Sequence, residues 1–155
     1  MTEDRTTRLD RMRYTKNTDS SRLALLAIVF DVLFFISIYK SDVGTYYYTI
    51  LIGASIIYNL VFLLATFLCS EGVKNYKPSF SFVMLGLALG QIIRIFIMPM
   101  DAHKTIINGA PVMGDGQFIR VIIYLALSAA CLALGAVINL KKSRALANYT
   151  ASLQA

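Results

Sequence analysis

The chain predicts an all-α polytopic membrane protein, a bundle of four transmembrane helices. Three observations predict it. Four long apolar segments fill most of the 155 residues, and a helix needs about 20 mostly apolar residues to cross a bilayer. The apolar fraction is 57% and the mean hydropathy +0.61, whereas ordinary soluble domains hold roughly 45–50% apolar residues. Each segment also carries small or polar residues at helical spacing, the pattern of helices that pack on one another in lipid.

Residues 1–21 form a basic N-terminal arm, with Arg5, Arg8, Arg11, Arg13 and Lys16. Such a flank sets topology and favours anionic lipid headgroups. Asp19, Ser20 and Ser21 suit a helix start. The first span, residues 22–40, contains LALLAIVFDVLFFISIY, with Asp31 in its middle. A turn holding Lys40, Asp42 and Gly44 leads to Tyr46, Tyr47 and Tyr48. These open the second span, residues 46–69, at an interfacial position. The short connection SEGVKNYKPS follows, and Pro78 suits the first turn of a helix. The third span, residues 79–98, contains Arg94 and stops at Pro99, which cannot continue the hydrogen-bond ladder. A longer loop, 101–117, precedes the fourth span, 118–140. Lys141, Lys142 and Arg144 close that span, and 141–155 reads as a polar tail. No segment reads as a strand. The chain is thus one transmembrane domain, 22–140, between an arm and a tail. Most Lys and Arg lie in the arm, the second connection and the tail, so both termini are expected on the cytoplasmic side of a plasma membrane.

The net charge of +6 does not imply nucleic acid, because the basic residues sit at span ends, where topology needs them. No phosphate-binding glycine pattern occurs. Cys69 and Cys131 are far apart, form no CxxC pair, and read as small packing residues. Met98, Met100 and His103 are metal-ligand types, but a Met-rich helix end more often packs, so no metal site and no cofactor are assigned. His103 with Asp101 makes an acid–base pair without a nucleophile beside it. No catalytic residue is assigned.

The stripes name a packing set and a polar set. Gly86 and Gly90, Ala129 and Ala133, and Cys131 and Gly135 are four residues apart, so they let helix backbones approach closely. Depth organises the polar residues. At a rise of about 1.5 Å per residue, Asp31 and Asn59 lie roughly 14–15 Å from the cytoplasmic end of their spans, Gln91 and Ser128 roughly 17–18 Å, and Arg94 roughly 21–23 Å. Helical side chains lean toward their own N-terminus, so Arg94 leans toward Asp31. The expectation is an Asp31–Arg94 ion pair, with Asn59 and Gln91 completing its hydrogen bonds and Ser128 lining the site. An ionisable residue at that depth is costly unless paired.

Three functions are compatible with these features. The first is a noncatalytic integral membrane subunit or scaffold of a larger complex, homo- or hetero-oligomeric. The alternative is a small oligomeric transporter or channel built on Asp31 and Arg94. A second alternative is a membrane enzyme, which the absence of a catalytic constellation disfavours.

Overall fold

The computed structural model describes residues 16–39 and 49–154. The elements in chain order are α1 (Thr18–Tyr39), α2 (Thr49–Lys74), α3 (Pro78–Ile97), α4 (Pro99–Lys104), β1 (Ile106–Ile107), β2 (Ala110–Pro111) and α5 (Asp115–Gln154). Four stretches, Thr18–Ile38, Gly53–Lys74, Pro78–Lys104 and Asp115–Ser152, are long and apolar enough to cross a membrane. The protein is an all-α bundle of the multi-pass membrane type. The first loop, with Tyr46, Tyr47 and Tyr48, and most of the basic arm lie outside the described residues.

The four long helices are arranged as a square. α1 packs on α2 and α5, and α3 packs on the same two. α1 and α3 therefore face each other across one diagonal without an extended interface. Small residues set the tightest side, between α1 and α5. Ala24, Ala27, Ala129 and Ala136 are buried there. A Cβ on Gly135 would lie 3.3 Å from the Ser20 carbonyl oxygen and 3.4 Å from Leu23 Cβ. Large side chains fill the remaining centre: Phe62, Met84 and Leu132 in one cluster, and Phe34, Ile38, Val121 and Leu125 in another nearer the α4 end. Leu, Ile, Val and Phe on the outer faces are exposed, as suits contact with acyl chains.

Of the packing residues read from the sequence, Ala129 is buried and Ala133 packs against the core. At Gly86 nothing lies within 4 Å of a Cβ built there, so it makes no close helix contact within this chain. The reason is the stripe α3 actually buries, Ser81, Met84, Ala88, Gln91 and Arg94. Gly86 and Gly90 run beside that stripe rather than along it. Gly90 faces the Tyr58 hydroxyl, 3.0 Å from where a Cβ would stand. The tightest glycine is one the sequence reading passed over. Gly72 lies against the ring of Phe80, which a Cβ would overlap.

Element ends differ from the sequence reading in three places. α5 is a single helix of 40 residues, about 60 Å long, and does not stop at Leu140. Lys141, Lys142 and Arg144 end the apolar run but are good helix formers, and no Gly or Pro follows before Gln154. α2 likewise runs on to Lys74 and closes through Asn75 N–H to Gly72 O and Tyr76 N–H to Val73 O. Tyr76 takes the left-handed conformation, φ 56°, usual for the residue after a helix. Finally, the loop 101–117 does contain strands. Ile106–Ile107 pairs antiparallel with Ala110–Pro111 around Asn108 and Gly109, both with positive φ. Asn-Gly is the strongest short hairpin signal, although two-residue strands offer no alternation to read. His103 stacks on Phe118 at 4.2 Å and its Nδ1 lies 3.1 Å from the Met113 carbonyl oxygen. Ala102 and Met113, both fully buried, pack beneath. The loop is a small folded cap.

Two glycines should separate by stability. Gly86→Ala should leave thermal unfolding in detergent unchanged or raise stability by about 0.5–1 kcal/mol, since Ala favours a helix over Gly. Gly72→Ala must displace the Phe80 ring and should cost roughly 1–3 kcal/mol.

Candidate functional site

The polar residues of the spans collect in two layers. The first is the mid-bundle layer. α1 contributes Asp31, 1% exposed, and α3 contributes Gln91 and Arg94, one helical turn apart. Arg94 Nη1 donates to Asp31 Oδ1 at 3.1 Å. Gln91 Nε2 donates to the same oxygen at 2.9 Å and to Ser128 Oγ at 3.3 Å. Ser128 Oγ then donates to the Ala27 carbonyl at 3.1 Å. The ion pair thus crosses the diagonal from α1 to α3, and Ser128 on α5 ties it to both.

Aromatic rings enclose the cation. The Arg94 guanidinium carbon lies 4.2 Å from the Phe34 ring centroid and 4.8 Å from that of Tyr58. Both distances are within the reach of cation–π attraction, which strengthens where water is excluded. Phe34 is one turn beyond Asp31 on α1, and Tyr58 precedes Asn59 on α2. The sequence reading named neither ring. The usable signal was spacing, since Phe34 shares the Asp31 face of α1.

Asn59 departs from the expected arrangement. It is buried, but neither its amide nitrogen nor its amide oxygen has a hydrogen-bond partner among the described residues. It reaches the level of the pair without joining it. Asp31 Oδ2 and Gln91 Oε1 are likewise without partners among the described residues. Asp31 and Asn59 share the wall of a small cavity between α1 and α2, about 120 Å³, with Val32, Phe35, Ile56, Leu60 and Leu63. Asp31, Gln91, Arg94 and Ser128 therefore form one connected group, and Asn59 stands across a gap from it.

The second layer lies at the end of the bundle where α1 begins, and its polar side chains are closely paired. Asn17 Nδ2 donates to Ser20 Oγ and to Asn139 Oδ1, each at 2.9 Å. Asn139 Nδ2 donates to Ser81 Oγ at 2.7 Å and to the Lys77 carbonyl at 3.0 Å. Ser21 and Ser70 hydroxyls meet at 2.8 Å, and Asn17 N–H donates to the Lys74 carbonyl at 3.1 Å. Lys142 reaches Asp19 at 2.7 Å and Asn17 Oδ1 at 3.3 Å. All four long helices are clasped here.

Neither layer holds a catalytic arrangement. The Ser128 hydroxyl is spent on a backbone carbonyl and has no base beside it, so it is not activated as a nucleophile. No group of three or more His, Cys, Asp or Glu residues placed to hold a metal occurs among the described residues. Cys69 and Cys131 are free thiols, both buried. No family model, curated protein or solved structure matches the chain.

The two asparagines should respond oppositely to substitution. Asn139→Ala strands the polar groups of Asn17 and Ser81, and should lower unfolding stability by about 1–3 kcal/mol. Asn59→Leu removes two buried groups without partners and should be neutral or stabilising. Thermal unfolding of both variants in the same detergent makes the comparison. A cost for Asn59→Leu as large as that for Asn139→Ala would contradict the arrangement described.

Proposed function

We propose that the chain is a noncatalytic integral membrane subunit or scaffold of a larger membrane complex. In this reading both termini are cytoplasmic, in a plasma membrane, and the basic arm meets anionic lipid headgroups. The observation that carries it is how the mid-bundle charges are used. The carboxylate and guanidinium are joined directly, cross-braced by Gln91 and Ser128, and enclosed between Phe34 and Tyr58. That is the arrangement of a register-fixing pair rather than of an open ion path, where binding must be loose enough to release. The same reading is supported by α5, which runs about 18 Å beyond the Lys142–Asp19 contact at about 1.5 Å per residue and offers a helical handle outside the bundle. Nothing in the distribution of basic residues favours nucleic acid.

A second reading has one observation in its favour. Asp31 Oδ2 and the Asn59 amide lack partners beside a cavity of about 120 Å³, and unsatisfied polar groups inside a membrane protein commonly mark a pathway or site. A small oligomeric transporter or channel would use Asp31 and Asn59 there, with Arg94 as counter-charge. Because Arg94 already balances Asp31, such a site suits proton-linked exchange or an uncharged polar molecule better than a free cation. A membrane enzyme gains no support from any arrangement described above.

The deciding experiment is the mass of the complex extracted in native lipid, with every co-purifying chain identified. The subunit reading expects a stable, stoichiometric second kind of chain. A lone chain or a homo-oligomer would overturn it and move Asp31 to the front of a transport assay.

A further inference from the structure

The ion pair sits between two clefts, one on each side of α2, and its two members divide between them. Asp31 lines the small cavity between α1 and α2. Arg94 lines a larger one, about 360 Å³, between α2 and α3, within the range of roughly 300–1,000 Å³ usual for small-molecule sites. The charges are unequally sealed. The Asp31 side chain is 1% exposed and that of Arg94 9%, so both members of the pair are buried, Arg94 a little less completely, at the wall of the larger cleft.

The larger cleft is built by identifiable residues. Gly90 has no side chain, and a Cβ there would meet the Tyr58 hydroxyl at 3.0 Å. Glycine therefore leaves room for the hydroxyl at the foot of the cleft. Ala54, Ile93, Ile97 and Met98 give it apolar walls, and Ser55 adds a second hydroxyl. Tyr58 stacks parallel to Phe62 at 6.3 Å, which holds its ring in place, and its hydroxyl has no hydrogen-bond partner among the described residues. The cleft thus offers a cation and a phenolic donor at one end and an apolar remainder that faces lipid.

We infer that this cleft binds a lipophilic carboxylate, with its head against Arg94 and Tyr58 and the start of its apolar body between Ala54, Ile93 and Ile97. Charge complementarity selects the head. The near charge is positive and the balancing negative charge lies behind it, across the diagonal. A guanidinium carries five N–H donors in a fork and can serve more than one carboxylate, and charge-assisted bonds of this kind are the strong ones. An amine head would meet the wrong end of the pair. An apolar molecule without a head would leave the phenolic hydroxyl unmet. The cleft is too short for a whole acyl chain along the helices, so the rest of the body stays in the bilayer.

The chain has no tryptophan, so one introduced residue reports alone. Ile97→Trp places an indole in the cleft wall. Leu127→Trp, on the exposed face of α5, reports the surrounding lipid. Both are reconstituted in phosphatidylcholine nanodiscs and titrated with 9,10-dibromostearic acid and with its methyl ester. The inference expects saturable quenching of Ile97→Trp by the acid, against a linear response from Leu127→Trp and from both proteins with the ester. Adding Tyr58→Phe should raise the half-saturating concentration about tenfold or more, the loss of one hydrogen bond to a charged group. Adding Ala54→Phe, at an exposed position, should fill the cleft and abolish saturation. Linear quenching in both reporters, equal saturation by the ester, indifference to Tyr58→Phe, or saturation surviving Ala54→Phe would each overturn it.

Discussion

A carboxylate and a guanidinium meet across the diagonal of an apolar bundle, and the other helices are disposed around that meeting. Either charge alone at such depth costs several kcal/mol. Joined, they supply a tie between two helices that otherwise have no extended interface, since α1 and α3 are separated by α2 and α5. Each neighbour then has a task. α5 approaches α1 closely through Gly135 and a set of buried alanines, which brings Ser128 within reach of both Gln91 and the Ala27 carbonyl. α2 lays Tyr58 over the cation. A shift of one turn along either α1 or α3 would carry a charge about 5.4 Å along the axis and break every one of these contacts.

The two polar layers differ in a way that separates the helices. The layer at the start of α1 clasps three helices, α1, α3 and α5, through the side chains of Asn17 and Asn139. It holds α2 as well, through the Ser21–Ser70 contact and the Lys74 carbonyl, with Gly72 seated on Phe80 nearby. Nearer the middle, α2 parts from its neighbours. The two clefts flank it there, and the orphaned amide of Asn59 lies in that gap. The three remaining helices are closed around small residues and aromatic rings, while α2 is anchored at one end and loosely seated along its middle. A subunit surface and a lipid-facing cleft both belong naturally to that side of the molecule.

Much of this was legible in residue order because lipid leaves few options. Apolar runs of spanning length must be helices, since the bilayer offers no partner for other backbone. Charges at one depth must seek each other, and simple rise arithmetic brought Asp31, Gln91, Arg94 and Ser128 to one level. The same arithmetic could not say which way each face turns. Asn59 reaches the right depth, yet its amide makes no hydrogen bond to the pair. Gly86 and Gly90 have the spacing of a packing motif, but the face α3 buries is set by Met84, Ala88 and Gln91. Hydropathy marks where the apolar run of α5 ends, while helix continuity depends on Lys141 to Gln154 containing no breaker. The Phe34 and Tyr58 rings were hidden because aromatic residues in a span ordinarily face lipid, and only the position of the cation gives these two another role.

The most direct measurement is a double-mutant cycle of unfolding free energy in one detergent, using Asp31→Asn, Arg94→Gln and the two together. A register-fixing pair predicts that each single change costs about 3–5 kcal/mol, because it leaves one buried charge without its partner, and that the double change costs far less than the sum. Additive costs, or single changes that leave stability untouched, would contradict the central place given to the pair.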